Sequence, residues 1–191
     1  MLFRSMESTK VARNGAGTMG DVGLWDDQFI PPLERCAAFI KAYGARAGIQ
    51  LGHSGRKARL SRPWEGGRPL TGDEPGVFDW DGWELVAPSA VPHSEKSPVP
   101  RALSHNEVRD LAVKWGEAAA RANRAGFDVV EIHAAHGYLI HQFLSPLANV
   151  RTDEYGGSEL NRARFAIEVA ECVRAAWPAD KPLFMRLSCE D

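Results

Sequence analysis

Short apolar runs alternate with segments of helical periodicity along this chain, and this alternation restricts the folds that it can adopt. The runs cover residues 47–51, 127–133 and 183–188, and each follows a helix-like segment within a few residues. Runs of this kind are typical of strands buried on both faces of a parallel sheet. A weaker strand pattern at residues 5–11 precedes the first helix. The order predicts βαβ units with right-handed crossovers, and therefore the α/β class.

Three helices are predicted between these strands. The clearest begins at Ser104, whose spacing to Glu107 is that of a capping box. Another covers about residues 31–43. The last covers about residues 158–177 and is ended by Pro178. Its core-facing stripe is predicted to consist of Ala163, Ile167, Ala170, Val173 and Trp177.

Composition excludes several classes of protein. The 191 residues suit one domain, and a content of 44% hydrophobic and 25% charged residues is that of a folded chain. The net charge of −2 provides no excess of basic charge for a phosphate backbone, so nucleic acid is not expected as the main partner. No window approaches 18 consecutive apolar residues, and residues 1–5 lack the length and order of a signal peptide. We therefore expect a cytoplasmic protein with no membrane partner.

The cysteines and the long loop add two further expectations. Cys36, Cys172 and Cys189 are odd in number and far apart, which argues against a disulfide framework or a thiolate zinc site and predicts buried thiols. A loop over residues 53–103 follows the second predicted strand and is rich in Gly, Pro, Ser and Trp. Loops of this length are usually functional or contain small elements of their own. This loop either borders a binding cleft or is merely pinned to the fold by its tryptophans, which are Trp64, Trp80 and Trp83.

Polar side chains occur at or just beyond the strands, where parallel α/β proteins place their sites. Gln50 lies on the opposite strand face from its apolar neighbours, and Arg186 lies within an otherwise apolar run. Gln50 is either a structural amide or a ligand contact, and Arg186 either joins an internal ion pair or contacts a ligand. His133 and His136, with Glu131, could begin a metal site, but no third and fourth ligand with convincing spacing appears, so no metal is predicted.

The same region carries a family resemblance. Residues 127–140, 142–146, 149–158 and 161–165 together resemble the signature of the Old Yellow Enzyme family, and residues 49–57 and 87–90 resemble its bacterial subgroup of xenobiotic reductases and NADPH dehydrogenases. The resemblance covers nearly the whole chain from about Met6. It implies a TIM (β/α)8 barrel that holds FMN, takes electrons from NAD(P)H and passes hydride to an α,β-unsaturated carbonyl or similar electron-poor small molecule. It also implies a homo-oligomer for the full-length protein.

The resemblance assigns roles to six residues. Gln50 would bind the pyrimidine edge of the flavin, Arg186 would lie beside N1 and the C2 carbonyl, and Ser8 would contact FMN at the end of its strand. The imidazoles of His133 and His136 would donate hydrogen bonds to the acceptor's carbonyl oxygen, which is an oxyanion-type role. Tyr138 would supply the proton that completes reduction, directly or through water.

Length is where this sequence departs from the family pattern. A (β/α)8 barrel takes about 250 residues or more, whereas the pattern here contains about four strands, matching strands 2 to 5 of the barrel. We therefore expect residues 1–191 to form a partial barrel domain, a fragment whose long loop over residues 53–103 follows the third barrel strand. Two alternatives remain open at this point, a metal-dependent TIM-barrel hydrolase or lyase and a non-catalytic barrel fragment.

Overall fold

A four-stranded parallel sheet forms the centre of the computed structural model, which describes residues 2–70 and 83–191. Its strands are β1 (Phe3–Lys10), β2 (Arg46–Gly52), β5 (Val129–Ala134) and β6 (Leu183–Leu187), hydrogen-bonded in that spatial order. Every neighbouring pair is parallel. The α/β class and the four predicted strands are therefore confirmed.

Three long helices connect these strands. They are α1 (Ile30–Ala42), α2 (His105–Arg124) and α4 (Glu159–Ala176). The Ser104 side chain accepts a hydrogen bond from the Glu107 backbone N–H while the Glu107 carboxylate returns to the Ser104 N–H, so the predicted capping box is present. Two prolines lie in the first turn of α1, where no intrahelical donor is lost. All three predicted helices form close to their expected bounds.

The core lies between the sheet and helices α2 and α4. Trp115 and Phe165 are fully buried, and their ring centroids lie 5.8 Å apart. The predicted stripe on α4 is partly wrong, because the side chain of Ile167 is 51% exposed. The residues that α4 buries are Phe165, Ala166, Val169 and Val173. Apolar residues cover a wide arc of this helix, and its packing against α2 and the short helix α3 (Leu139–Leu144) selects which part faces inward.

The long loop contains small elements of its own. These include two short 3₁₀ turns, Gly55–Lys57 and Pro63–Glu65, and a two-stranded parallel ladder of β3 (Val86–Ala87) and β4 (Arg101–Ala102). Trp83 pins the loop to the fold, since it is fully buried and donates a hydrogen bond to the Ala16 carbonyl at 2.8 Å. Trp64 does not, being 80% exposed, and Trp80 lies outside the described residues.

Two strands have only one neighbour each in the described parts of the chain. β1 pairs with β2, and β6 pairs with β5, so both lie at edges of the sheet.

No helix in residues 2–70 and 83–191 is long and apolar enough to cross a membrane. The expectation of buried thiols is wrong, because Cys36 and Cys189 are exposed and Cys172 is half-buried. Cys36 lies in α1, Cys172 lies in α4, and Cys189 follows β6.

Candidate active site at the carboxyl edge of the sheet

The sequence-predicted residues converge on one edge of the sheet. Ser8, Gln50, His133 and Arg186 belong to β1, β2, β5 and β6 respectively, and the strands are parallel. The register places Gln50 opposite Glu131 and His133 opposite Arg186. His136 and Tyr138 follow β5 directly. The fold therefore brings all six predicted residues to neighbouring positions.

Gln50 connects three adjacent strands. Its amide is 4% exposed, its Oε1 accepts a hydrogen bond from the Ser8 backbone N–H at 3.1 Å, and its Nε2 donates to the Glu131 carboxylate. The amide is thus positioned by the sheet itself. One Nε2 proton and further lone-pair capacity on Oε1 are left for a ligand, because a carboxamide has two donors and two acceptor sites.

Ser8 lies at an irregular point of β1. The register between β1 and β2 shifts between Met6 and Thr9, and Ser8 has a φ of +54°. This left-handed conformation is uncommon for a residue with a Cβ. It turns the Ser8 N–H toward Gln50, while the Ser8 Oγ accepts a hydrogen bond from Lys10 Nζ at 2.5 Å.

His133, His136 and Tyr138 form a compact aromatic cluster. The His133 ring centroid lies 5.1 Å from that of His136 and 4.9 Å from that of Tyr138, both nearly perpendicular to it. His136 has a φ of +59°, and its backbone N–H donates to Ser188 Oγ at 3.0 Å. This left-handed residue reverses the chain after β5, which returns Tyr138 to the His133 ring.

The protonation state of His133 suits a neutral hydrogen-bond donor. Burial lowers its pKa to about 4, and the electrostatic effects of the neighbouring His136 and Lys10 lower it further. Its Nδ1 accepts a hydrogen bond from the Ala135 backbone N–H at 3.3 Å. In the neutral ring the proton therefore resides on Nε2, which is left as a donor at neutral pH.

The Arg186 side chain is exposed in this chain. Its strand β6 has one neighbour, β5, among the described residues, and within those residues Arg186 makes no ion pair. Its charge nevertheless acts on the site, since it contributes to lowering the pKa of His133.

Sequence reasoning missed Lys10, Asp21 and Ser54, which line a cavity of about 280 Å³ beside Tyr138. The Lys10 Nζ lies 3.4 Å from Asp21 Oδ2 and 5.3 Å from the centroid of the Tyr138 ring. Lys57, within the motif that resembles the family, places its Nζ 5.2 Å from the same centroid and donates to the His136 carbonyl at 3.0 Å. The sequence signal for Lys10 is its position two residues after Ser8, within the same predicted strand.

Metal ligands do not cluster here. Across residues 2–70 and 83–191, no group of three or more His, Cys, Asp or Glu side chains is arranged to hold a metal ion. In the sequence, Glu131 is a candidate metal ligand beside His133. In the structure, its carboxylate accepts the hydrogen bond from Gln50.

Comparison with known proteins supports the motif resemblance. The family model for the NADH:flavin oxidoreductase / NADH oxidase family matches residues 5–191. The chain is 45% identical over 189 residues to NADH:flavin oxidoreductase FG08077 of Gibberella zeae, with 97% of this chain and 45% of the relative covered. It is 44% identical over 189 residues to an NADPH dehydrogenase of Clostridium acetobutylicum, with 99% and 50% covered. The chain thus spans about half the length of these relatives.

The fold comparison agrees. A solved structure of morphinone reductase in complex with tetrahydroNAD matches with a TM-score of 0.78 and 33% identity, and the match covers 96% of this chain and 50% of that one. The four parallel strands and their helices are accordingly part of an α/β barrel of the TIM type, as the resemblance to the Old Yellow Enzyme family implied. With 187 of its residues, from 5 to 191, matched by the family model, the chain belongs to the NADH:flavin oxidoreductase / NADH oxidase family.

Proposed function

We propose that this chain contributes the flavin-ring and acceptor-binding part of an FMN-dependent NAD(P)H oxidoreductase of the ene-reductase type. The reaction reduces an α,β-unsaturated carbonyl or a similar electron-poor small molecule. The observation that carries the proposal is the cluster of His133, His136 and Tyr138, in which His133 is neutral, at the same sheet edge as Gln50 and Arg186. The names of the similar oxidoreductases support it. We assign residues 1–191 to part of one barrel domain, with the loop over residues 53–103 bordering the site.

The residues at the sheet edge fit the ring system of FMN. Gln50 offers an oriented amide that retains a donor, the exposed Arg186 offers a positive charge, and the backbone turn at Ser8 lies next to both the amide and the sheet edge. A flavin ring needs paired donors and acceptors along its pyrimidine side, and a cation near N1 favours the negative charge that reduction places there. Bound FMN would supply hydride, drawn from NAD(P)H, to the acceptor.

The histidine cluster suits the acceptor. Nε2–H of His133 and a ring N–H of His136 donate to the carbonyl oxygen, where negative charge grows during reduction, and donors fixed in advance act most strongly there. Tyr138 holds a proton, because burial raises the pKa of its phenol. We assign it delivery of that proton to the α-carbon, directly or through water.

We make two further proposals, which concern the location and the oligomeric state of the protein. We place the enzyme in the cytoplasm, where an enzyme that draws on NAD(P)H finds its reductant. We also propose that the full-length protein is a homo-oligomer, for which exposed apolar side chains such as Leu147 and Val150 provide contact surface.

A two-step flavin assay tests the proposed function. The full-length protein that contains this chain is mixed with FMN, desalted and monitored at the flavin absorbance band under anaerobic conditions. We expect bound flavin, bleaching on addition of NADPH or NADH, and recovery of the band on addition of 2-cyclohexenone. Free FMN at the same concentration is the control. Protein that retains no flavin, or reduced flavin that the enone does not reoxidise, would favour the non-catalytic alternative.

Arg186→Ala tests the cofactor part of the site separately. Removing the guanidinium is expected to lower the two-electron reduction potential of bound flavin by roughly 30 to 60 mV, the equivalent of one lost charge-assisted hydrogen bond. The potential is measured by equilibration with a reference dye. Arg35→Ala, on the exposed face of α1, is the matched control. An unchanged potential with full flavin occupancy would remove Arg186 from the cofactor site.

A further inference from the structure

The cavity beside Tyr138 has a charge pattern that the proposed roles do not use. Two ammonium groups, of Lys10 and Lys57, lie 5.3 and 5.2 Å from the centroid of the Tyr138 ring. Among the described residues that line this cavity, the acidic ones are Asp21 and Glu7, and Asp21 Oδ2 lies 3.4 Å from the Lys10 Nζ. Lys10 is almost completely buried, and a buried ammonium group is costly unless its donors are satisfied.

Asp21 satisfies Lys10 only in part. Its Oδ2 accepts a hydrogen bond from the Gly17 backbone N–H at 2.7 Å, and its Oδ1 accepts from the Thr18 N–H and Oγ–H at 3.2 and 2.8 Å. The Lys10 Nζ is farther away, at 3.4 Å from Oδ2. The Asp21 carboxylate therefore makes its shorter contacts with its own loop rather than with Lys10. Ser8 Oγ takes one Lys10 donor, and an ammonium group has three.

Ser54 provides an independent sign that a ligand is expected. Its side chain is 1% exposed and lines the same cavity, yet its Oγ has no hydrogen-bond partner within the described chain. Buried hydroxyl groups are almost always hydrogen-bonded, so an orphaned one facing a cavity indicates a missing partner. A hydroxyl donor next to ammonium donors matches an anionic oxygen.

Positive charge continues into a larger neighbouring cavity. This second cavity, of about 620 Å³, shares Lys57 and Leu60 with the first. Its other charged or titratable lining residues are Arg56, Arg59, Lys96 and His93, and the described lining contains no Asp or Glu. Among the described residues, the charged side chains that a ligand meets in this second cavity are therefore basic.

We propose that Lys10 and Ser54, assisted by Lys57, form a subsite for a carboxylate carried by the acceptor. The preferred acceptors would then be unsaturated carbonyl compounds that bear a second, anionic oxygen group. This inference rests on the proposed function for the identity of the reacting part of the ligand. The subsite itself rests on the cavity, the buried lysine and the orphaned hydroxyl.

A matched pair of ligands tests the subsite by equilibrium binding. 3-Oxocyclohex-1-ene-1-carboxylate and its methyl ester share the enone and differ in one charge. Their dissociation constants are measured by calorimetry with the flavin-loaded protein and again without flavin. We expect the carboxylate to bind more tightly than the ester. Lys10→Met should weaken carboxylate binding by roughly 10-fold or more, the effect of losing a charge-assisted hydrogen bond, and leave the ester's constant within twofold.

Companion variants keep the test decisive. Lys10→Arg should retain most of the preference, Ser54→Ala should reduce it, and Lys114→Met, on the exposed side of α2, should leave it unchanged. Equal constants for carboxylate and ester in the unaltered protein would overturn the proposal. If Lys10→Met does not fold, an unaltered preference in Ser54→Ala would also overturn it.

Inorganic pyrophosphate tests whether the anionic group bound by this subsite belongs to the acceptor or to a phosphate-bearing reductant. If pyrophosphate binding depends on Lys10 while the carboxylate preference does not, the acceptor subsite is refuted. Because binding needs no turnover, a failure of flavin reduction or reoxidation would count against the proposed function and leave this comparison intact.

Discussion

Replacing either His133 or His136 with alanine is expected to slow reoxidation of the reduced flavin by an enone by roughly 100-fold, the typical effect of losing one oxyanion donor. Each change should also weaken binding of phenols. Flavin reduction by NADPH should be less affected, because no carbonyl charge develops in that step. Rapid-mixing absorbance measurements of the two half-reactions separate these effects.

His105→Ala is the matched control for both histidine variants. His105 is the first residue of α2, where it contacts Glu154, and it belongs to none of the strands that carry the site. Its removal should leave both half-reactions close to those of the unaltered protein. Enone turnover within twofold of the unaltered protein in either the His133 or the His136 variant would show that this pair is not the oxyanion site.

Phe165→Ala is expected to lower the free energy of unfolding by about 3 to 5 kcal/mol, the usual range for removing a buried aromatic ring. Phe165 is fully buried, and its ring centroid lies 4.5 Å from that of Phe143 and 5.8 Å from that of Trp115. The substitution therefore leaves a cavity where α2, α3 and α4 meet. Urea denaturation followed by tryptophan fluorescence measures the change.

Leu160→Ala provides the comparison on the same helix. The Leu160 side chain is 79% exposed, so its truncation removes little buried surface and should change the unfolding free energy by less than about 0.5 kcal/mol. A similar loss in both variants would mean that α4 does not pack as described.

Local signals explain why so much of the framework could be predicted. A capping box, two prolines in a first turn and apolar runs of strand length act within a few residues, so they predict α1, α2 and the central strands directly. Helix α3 escaped prediction because its six residues are too few to show a period. The buried face of α4 was misassigned because Phe165 and Ile167 are both apolar, and only contacts with other helices distinguish them.

Part of the candidate site could also be predicted from the sequence. His133, His136, Tyr138, Gln50 and Arg186 follow from motif and strand position, and the structure brings them together. Lys10 was missed because its importance depends on Asp21 and Ser54, which are separated from it by 11 and 44 positions and meet it through tertiary folding.

The Gln50 amide also works as a check on strand alignment. It contacts the Ser8 N–H on one side and the Glu131 carboxylate on the other, so three strands must be in their native register at once for both hydrogen bonds to form. A slip of one residue turns Glu131 to the opposite face of the sheet and leaves a buried amide unpaired. Misaligned forms of the sheet are thereby penalised at the position where we propose that ligand contacts are made. The same two hydrogen bonds would then favour both the native strand register and the geometry of the proposed site.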